Sequence, residues 1–140
     1  MEKWMFYALL STLFAGTTAV LAKYGLQHVN PDLGLMIRTS VIFILVIAAA
    51  LLGHAFADAS HLTGREVWLL VASGATAFLS WIFYFRALKE GPLTYVASID
   101  KASIVVTLAL SFILLREPLK PQVLLGGGLI LAGMLVLVWK

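Results

Sequence analysis

The chain has 140 residues, 61% hydrophobic and 12% charged, against about 45–50% apolar and about 25% charged in a soluble domain. With a mean hydropathy of +0.99, a soluble fold this small could not hide its apolar surface, which excludes an ordinary soluble enzyme and a disordered tail and predicts an integral membrane protein. The net charge of +3 comes from ten Lys and Arg scattered between apolar blocks, so no basic patch offers itself to nucleic acid, and the absence of Cys excludes a disulfide framework, a thiolate nucleophile and a Cys-ligated metal.

A hydrocarbon core of about 30 Å takes roughly 20 apolar residues as a helix. The first such block covers about 4–22. Lys3 ahead of it and small residues after it resemble a signal peptide, but its length and the spans that follow predict a retained helix. The second, about 33–52, opens on Asn30-Pro31-Asp32, which supplies an N-cap, a proline at the first helical position and an early carboxylate. Between the second and third blocks, His54, Asp58 and His61 recur at metal-ligand spacing, but in a loop, which gives them no common helical face. Thr63-Gly64-Arg65-Glu66 reads as a capping box before the third block, about 67–85. Gly91-Pro92 separates it from the fourth, about 93–115, and Pro118 and Pro121 precede the fifth, about 123–139. Trp4, Trp68, Tyr95 and Trp139 fall near block ends, where amphipathic rings favour the membrane interface. Gly126-Gly127-Gly128 and Gly133 let the last helix approach a neighbour closely, either within one protomer or at a dimer seam. No soluble linker or internal repeat is evident. The expectation is an all-α integral membrane protein, a five-helix bundle forming a single domain over 1–140.

Flanking charge gives insertion little direction. Lys3, Arg65, Arg116 and Lys120 fall on one side and Lys23, Arg86, Lys89 and Lys140 on the other, with Arg38 and Lys101 inside spans. Two readings stay open: a fixed topology with weak bias, and dual topology, in which copies insert both ways and pair antiparallel as the halves of inverted-repeat transporters do.

The intramembrane polar residues carry the functional signal. Asp100 lies about seven residues, or roughly 10 Å, into the fourth block, with Lys101 next to it. A charge at that depth costs several kcal/mol unless paired or hydrated, so such residues face a cavity or a partner. Adjacent helical residues point about 100° apart, so the two are not expected to neutralise each other directly. Asp100, Ser103, Thr107 and Ser111 share one helical face, as do Ser73, Thr76, Ser80 and Tyr84 in the third block. These stripes read as cavity linings, or as hydroxyls bonded to their own helix. Arg38 is a candidate partner of Asp100, a clamp for an anionic group, or a snorkelling side chain. Lys23 reads as an interfacial anchor, and Arg86, Lys89 and Arg116 as flanking charges. No nucleophile elbow, His-Glu-x-x-His or P-loop is present; neither an enzyme nor an ATP-driven pump is expected.

Tyr84-Phe85-Arg86-Ala87-Leu88 with Gly91-Pro92, Ile99-Asp100-Lys101-Ala102-Ser103, Arg116-Glu117-Pro118 and the Gly-rich last helix resemble the EamA-like domain of the drug/metabolite transporter superfamily. Phe14-Ala15-Gly16, Lys23-Tyr24-Gly25 and Arg38 fit the same pattern, and the likeness covers essentially the whole chain. It resembles the single-unit, five-helix branch of bacteria and archaea. The resemblance implies a secondary active transporter, often an exporter, of amino acids, metabolites or other small organic solutes, in which one unit is half a transporter and pairs as a homodimer. It departs from the four-helix small multidrug relatives, whose first helix carries an essential membrane-embedded Glu; here the first block has no acid beyond Glu2, which shifts the expected coupling role to Asp100.

The resulting expectation is a multi-pass inner-membrane (plasma-membrane) protein that works by alternating access between two protomers, with a proton or other cation as coupling ion. Its substrate and ion site would use Asp100, Lys101, Arg38, Ser103, Tyr84 and Trp81, with no metal or cofactor. The rival readings are a non-transporting scaffold or accessory subunit and an uncoupled facilitator.

Overall fold

The structure, a computed structural model, describes residues 2–116, 118 and 120–139, without the side chains of Asp58 and Ser60. Glu117 and Lys140, used above in a motif and in the charge balance, lie outside the described residues. Among those described, every regular element is a helix: α1 (Lys3–Gly25), α2 (Pro31–Leu52), a 3₁₀ segment (Ala55–His61), α3 (Gly64–Glu90), α4 (Leu93–Asp100), α5 (Ser103–Leu110), a π-helical turn (Ser111–Leu115) and α6 (Pro121–Val138). Taking Leu93–Leu115 as one span, five helical stretches among the described residues are long and apolar enough to cross a membrane, and they coincide with the five blocks.

Most large apolar side chains are exposed, Phe43 at 65% among them. In water each would forgo about 1.5–3 kcal/mol of burial. Against hydrocarbon that term vanishes, and helices satisfy their backbone groups internally, as a bilayer requires. Trp4, Trp68, Tyr95 and Trp139 are likewise exposed near span ends.

The local signals act as written. The Asn30 side chain accepts the Asp32 N–H at 2.8 Å with Pro31 at the first helical position, starting α2. The Thr63 N–H donates to Glu66 Oε2 at 2.8 Å and the Glu66 N–H to Thr63 Oγ1 at 3.4 Å, closing the reciprocal box at the start of α3. Past the end of α2, His54 takes left-handed φ/ψ of 53° and 25°, a conformation in which His is enriched among non-glycine residues. His54, Asp58 and His61 accordingly belong to a turn and a 3₁₀ segment. No metal-holding cluster occurs among the described residues, and the Asp58 side chain lies outside them.

The chain forms two compact units, Met1–Glu90 and Gly91–Lys140. In the first, α3 packs on α2 and α1. Its buried core, Leu26, Leu35, Phe85 and Leu88, gathers where the α1–α2 connection meets the end of α3. Gly34 makes this meeting possible, since a Cβ there would stand 2.6 Å from Leu26 Cδ2. Two lysines then tie the helix ends reciprocally. The Lys23 ammonium, in the last turn of α1, donates to the Leu88 carbonyl, and the Lys89 ammonium, in the last turn of α3, donates to the carbonyls of Leu26 (2.7 Å) and Gln27 (2.9 Å). Lys23 thus meets a last-turn carbonyl of α3 that has no intrahelical donor, and Lys89 two carbonyls just past the end of α1. Lys89 is therefore more than a flanking charge. Arg86 also has a partner, forking onto Asp32 at 3.2–3.3 Å at the start of α2.

In the second unit, α4 packs on α6, and Gly127 is buried where its missing Cβ would stand 2.9 Å from Leu108 Cδ1 of α5. One of the α6 glycines therefore serves packing within the protomer. Gly126, Gly128 and Gly133 have nothing within 4 Å of a built Cβ.

Candidate functional site

In the first unit, Arg38 is the eighth residue of α2, about 10 Å along it. Its guanidinium carbon lies 4.9 Å from the Trp81 ring centroid and 5.4 Å from that of Phe85. Trp81 and Phe85 are four apart on α3, so their rings share a face. Tyr84 is within electrostatic reach of the guanidinium. The aromatic face thus holds a half-buried cation inside the membrane, where cation–π attraction gains from desolvation. This position answers the snorkelling alternative: Arg38 is held across to α3. No carboxylate pairs with it among the described residues, and Asp32 of the same helix is taken by Arg86.

Beside Arg38 opens a cleft of about 480 Å³ lined by α1, α2, their connection and Phe85, in which Thr18 and Arg38 are the polar side chains among the described residues. It runs from Gly25, Leu26 and Gly34 at the helix ends down to Thr18 and Ile42, roughly 10–12 Å deeper along the helix axes.

In the second unit, the fourth span is interrupted at the charged pair. The helix α4 ends at Asp100 and α5 begins at Ser103, although neither Gly nor Pro stands between. The backbone N–H groups of Lys101, Ala102, Ile104 and Val105 donate to carbonyls three residues back, at 2.9–3.1 Å, which is the tighter 3₁₀ pattern. Ser103, three residues past Asp100, opens α5. Lys101 Nζ reaches Asp100 Oδ2 at 3.2 Å. This corrects the expectation that the two do not neutralise each other directly, because the flexible lysine stem spans the angle between adjacent positions. The Asp100 side chain remains 39% exposed and that of Lys101 65%.

The hydroxyl stripes divide. Thr107 donates to the Ser103 carbonyl (3.0 Å) and Thr76 to that of Ser73 (2.9 Å), so both serve their own helices. Ser103 Oγ makes no hydrogen bond among the described residues. The structure therefore groups the six sequence candidates as Arg38 with Trp81 and Tyr84 in one unit, and Asp100 with Lys101 and Ser103 in the other. Sequence reasoning missed Phe85 as the second ring on Arg38, although its spacing from Trp81 carried the signal. It also missed the helix break, which has no local marker.

Comparison with known proteins agrees with this architecture. The family described as the EamA-like transporter family matches residues 2–139. A Sinorhizobium sp protein named "Uncharacterized transporter in cobO 3'region" is 40% identical over 136 residues, covering 97% of this chain and 96% of its own length. No solved structure matches.

Proposed function

Because this chain belongs to the EamA-like transporter family of the drug/metabolite transporter superfamily, we propose that it is a secondary active transporter, working as an exporter of small organic solutes such as amino acids or metabolites. As a multi-pass membrane transporter it has the bilayer as its solvent and a small molecule as its substrate. The finer proposal is a homodimer of single-domain protomers in the inner membrane, alternating access around a shared cavity, with antiparallel pairing as an arrangement that the evenly divided flanking charge permits.

The observation that carries this reading is the interruption of the fourth span at an incompletely covered ion pair. A charged pair inside a membrane needs water, substrate or a second protein surface around it, and discontinuous helices are the usual carriers of substrate and coupling ions in secondary transporters. Asp100 is assigned the coupling carboxylate. With Lys101 close by, it can alternate between the lysine and an incoming proton or cation. Ser103, three residues on, offers a hydroxyl to the same ligand, while Arg38, backed by Trp81 and Tyr84, forms a second ligand-binding point.

Proteoliposomes carrying the full chain test the assignment, with pooled radiolabelled amino acids and organic acids and an imposed pH gradient. Wild type is expected to accumulate solute against its gradient, and D100N to lose accumulation while remaining folded by circular dichroism. Gradient-driven accumulation undiminished in folded D100N overturns the coupling role. Flux indifferent to the gradient in wild type identifies a facilitator instead. Reporter fusions to the C-terminus check dual topology, which requires signal from both sides of the membrane.

A further inference from the structure

We infer that the cleft of the first unit binds an amphipathic organic anion: a carboxylate held by Arg38, attached to an apolar body that fills the space between α1 and α2. The inference deepens the transport reading and rests on it, since it names the class of solute that the protein would carry.

Three observations converge. First, Arg38 is held by aromatic rings and has no counter-ion among the described residues. Trp81 and Phe85 stack against its guanidinium, and no carboxylate meets it among the described residues. The guanidinium N–H donors make no hydrogen bond among the described residues, and they match a planar carboxylate bidentately. A half-buried cation in hydrocarbon without a counter-ion is unfavourable, so an incoming anion gains more here than at a wet surface. Second, the walls beside it are apolar. Leu21 and Ala22 of α1, Ile37 and Val41 of α2 and Phe85 face the same space, and such walls reward an aromatic or branched hydrocarbon body. Third, the size fits. About 480 Å³ lies within the roughly 300–1,000 Å³ typical of small-molecule pockets, so the space takes a ring with a short acidic chain. Charge complementarity and shape therefore select a monoanion over a neutral or cationic solute.

The test uses the full chain in phosphatidylcholine nanodiscs, titrated calorimetrically with 4-phenylbutyrate, its amide and the corresponding amine. The acid is expected to bind at least about tenfold more tightly than either analogue, the factor that a charge-assisted hydrogen bond supplies. R38K keeps the charge and loses the fork, and is expected to weaken the acid by about tenfold. V41F fills the cleft while leaving Arg38 in place, and is expected to weaken acid and amide alike. The comparison of acid with amide needs no variant, so it decides the matter even where R38K fails to fold. Equal affinity for acid and amide overturns the inference, as does a folded R38K that binds as wild type does. Absence of binding, as when a second copy covers the cleft, also overturns it. Replacing half the phosphatidylcholine with phosphatidylglycerol should leave the affinity for the acid unchanged; a tenfold loss means that the anion seated there is a lipid headgroup, and overturns it too. Flux of 4-phenylbutyrate in proteoliposomes is measured separately. Binding without flux refutes the transport reading and leaves the site standing, whereas flux of other solutes without acid binding refutes the site alone.

Discussion

Replacing Lys89 with Met removes one half of the reciprocal tie between α1 and α3 while keeping a flexible apolar stem. Two charge-assisted hydrogen bonds are lost, to the Leu26 carbonyl at 2.7 Å in a partly buried setting and to the Gln27 carbonyl at 2.9 Å in an exposed one. A bond to a charged group contributes about 1.5–3 kcal/mol, and the exposed one counts toward the low end because water can replace it. The expected loss is therefore about 3–4.5 kcal/mol. K89R, which keeps charge and donors, should recover most of it. K23M removes the other half, and because its acceptor belongs to Leu88, the neighbour of Lys89, the two losses should couple by about 0.5–2 kcal/mol in a double-mutant cycle. Reversible unfolding in mixed micelles titrated with dodecyl sulfate, followed by tryptophan fluorescence, measures all five proteins: wild type, K89M, K89R, K23M and the double mutant. A K89M protein within about 0.5 kcal/mol of wild type would refute the claim that these lysines hold the helix ends together.

The glycines of α6 should respond according to what a Cβ would meet. G127V, pressing on Leu108, should cost about 1–3 kcal/mol, whereas G126A, with nothing within 4 Å, should be neutral or stabilising by up to about 1 kcal/mol in the same unfolding assay. W81A removes the nearer ring on Arg38 and should destabilise by at least about 0.5–2 kcal/mol from the lost cation–π contact, again read by unfolding. H54V places a β-branched residue at a positive φ and should cost about 1–2 kcal/mol, while H54N, which tolerates that conformation, should unfold as wild type does. Equal losses for both His54 variants would show that the imidazole itself matters there.

Helix starts and stops were legible because their determinants are local. Asn30, Pro31, Thr63, Glu66, Pro92 and Pro121 act within one turn of their own backbone, and hydropathy over about 20 residues is itself a local sum. The identity of the intramembrane charges was legible for the same reason: an Asp or Arg within an apolar run is visible without a fold. The helix break at Asp100 was not legible, because no Gly or Pro marks it and the switch from i−4 to i−3 bonding is a small energetic choice that the surroundings settle. Nor could sequence say which α6 glycine is buried, since that depends on where Leu108 of α5 lies.

The amino-acid sequence by itself determined that this protein lives in a bilayer, crosses it with five helical spans and carries Arg38, Asp100 and Lys101 inside them. It also determined family membership, through short motifs in a fixed order. Only the tertiary structure decided what those charges meet: Arg38 the rings of Trp81 and Phe85, Lys101 the carboxylate of Asp100, and Lys89 carbonyls 62 and 63 residues away in sequence. The physical reason is range. Hydropathy and capping energies depend on neighbours along the chain, whereas an ion's partner inside a membrane is set by which helices pack together and which faces they turn toward each other.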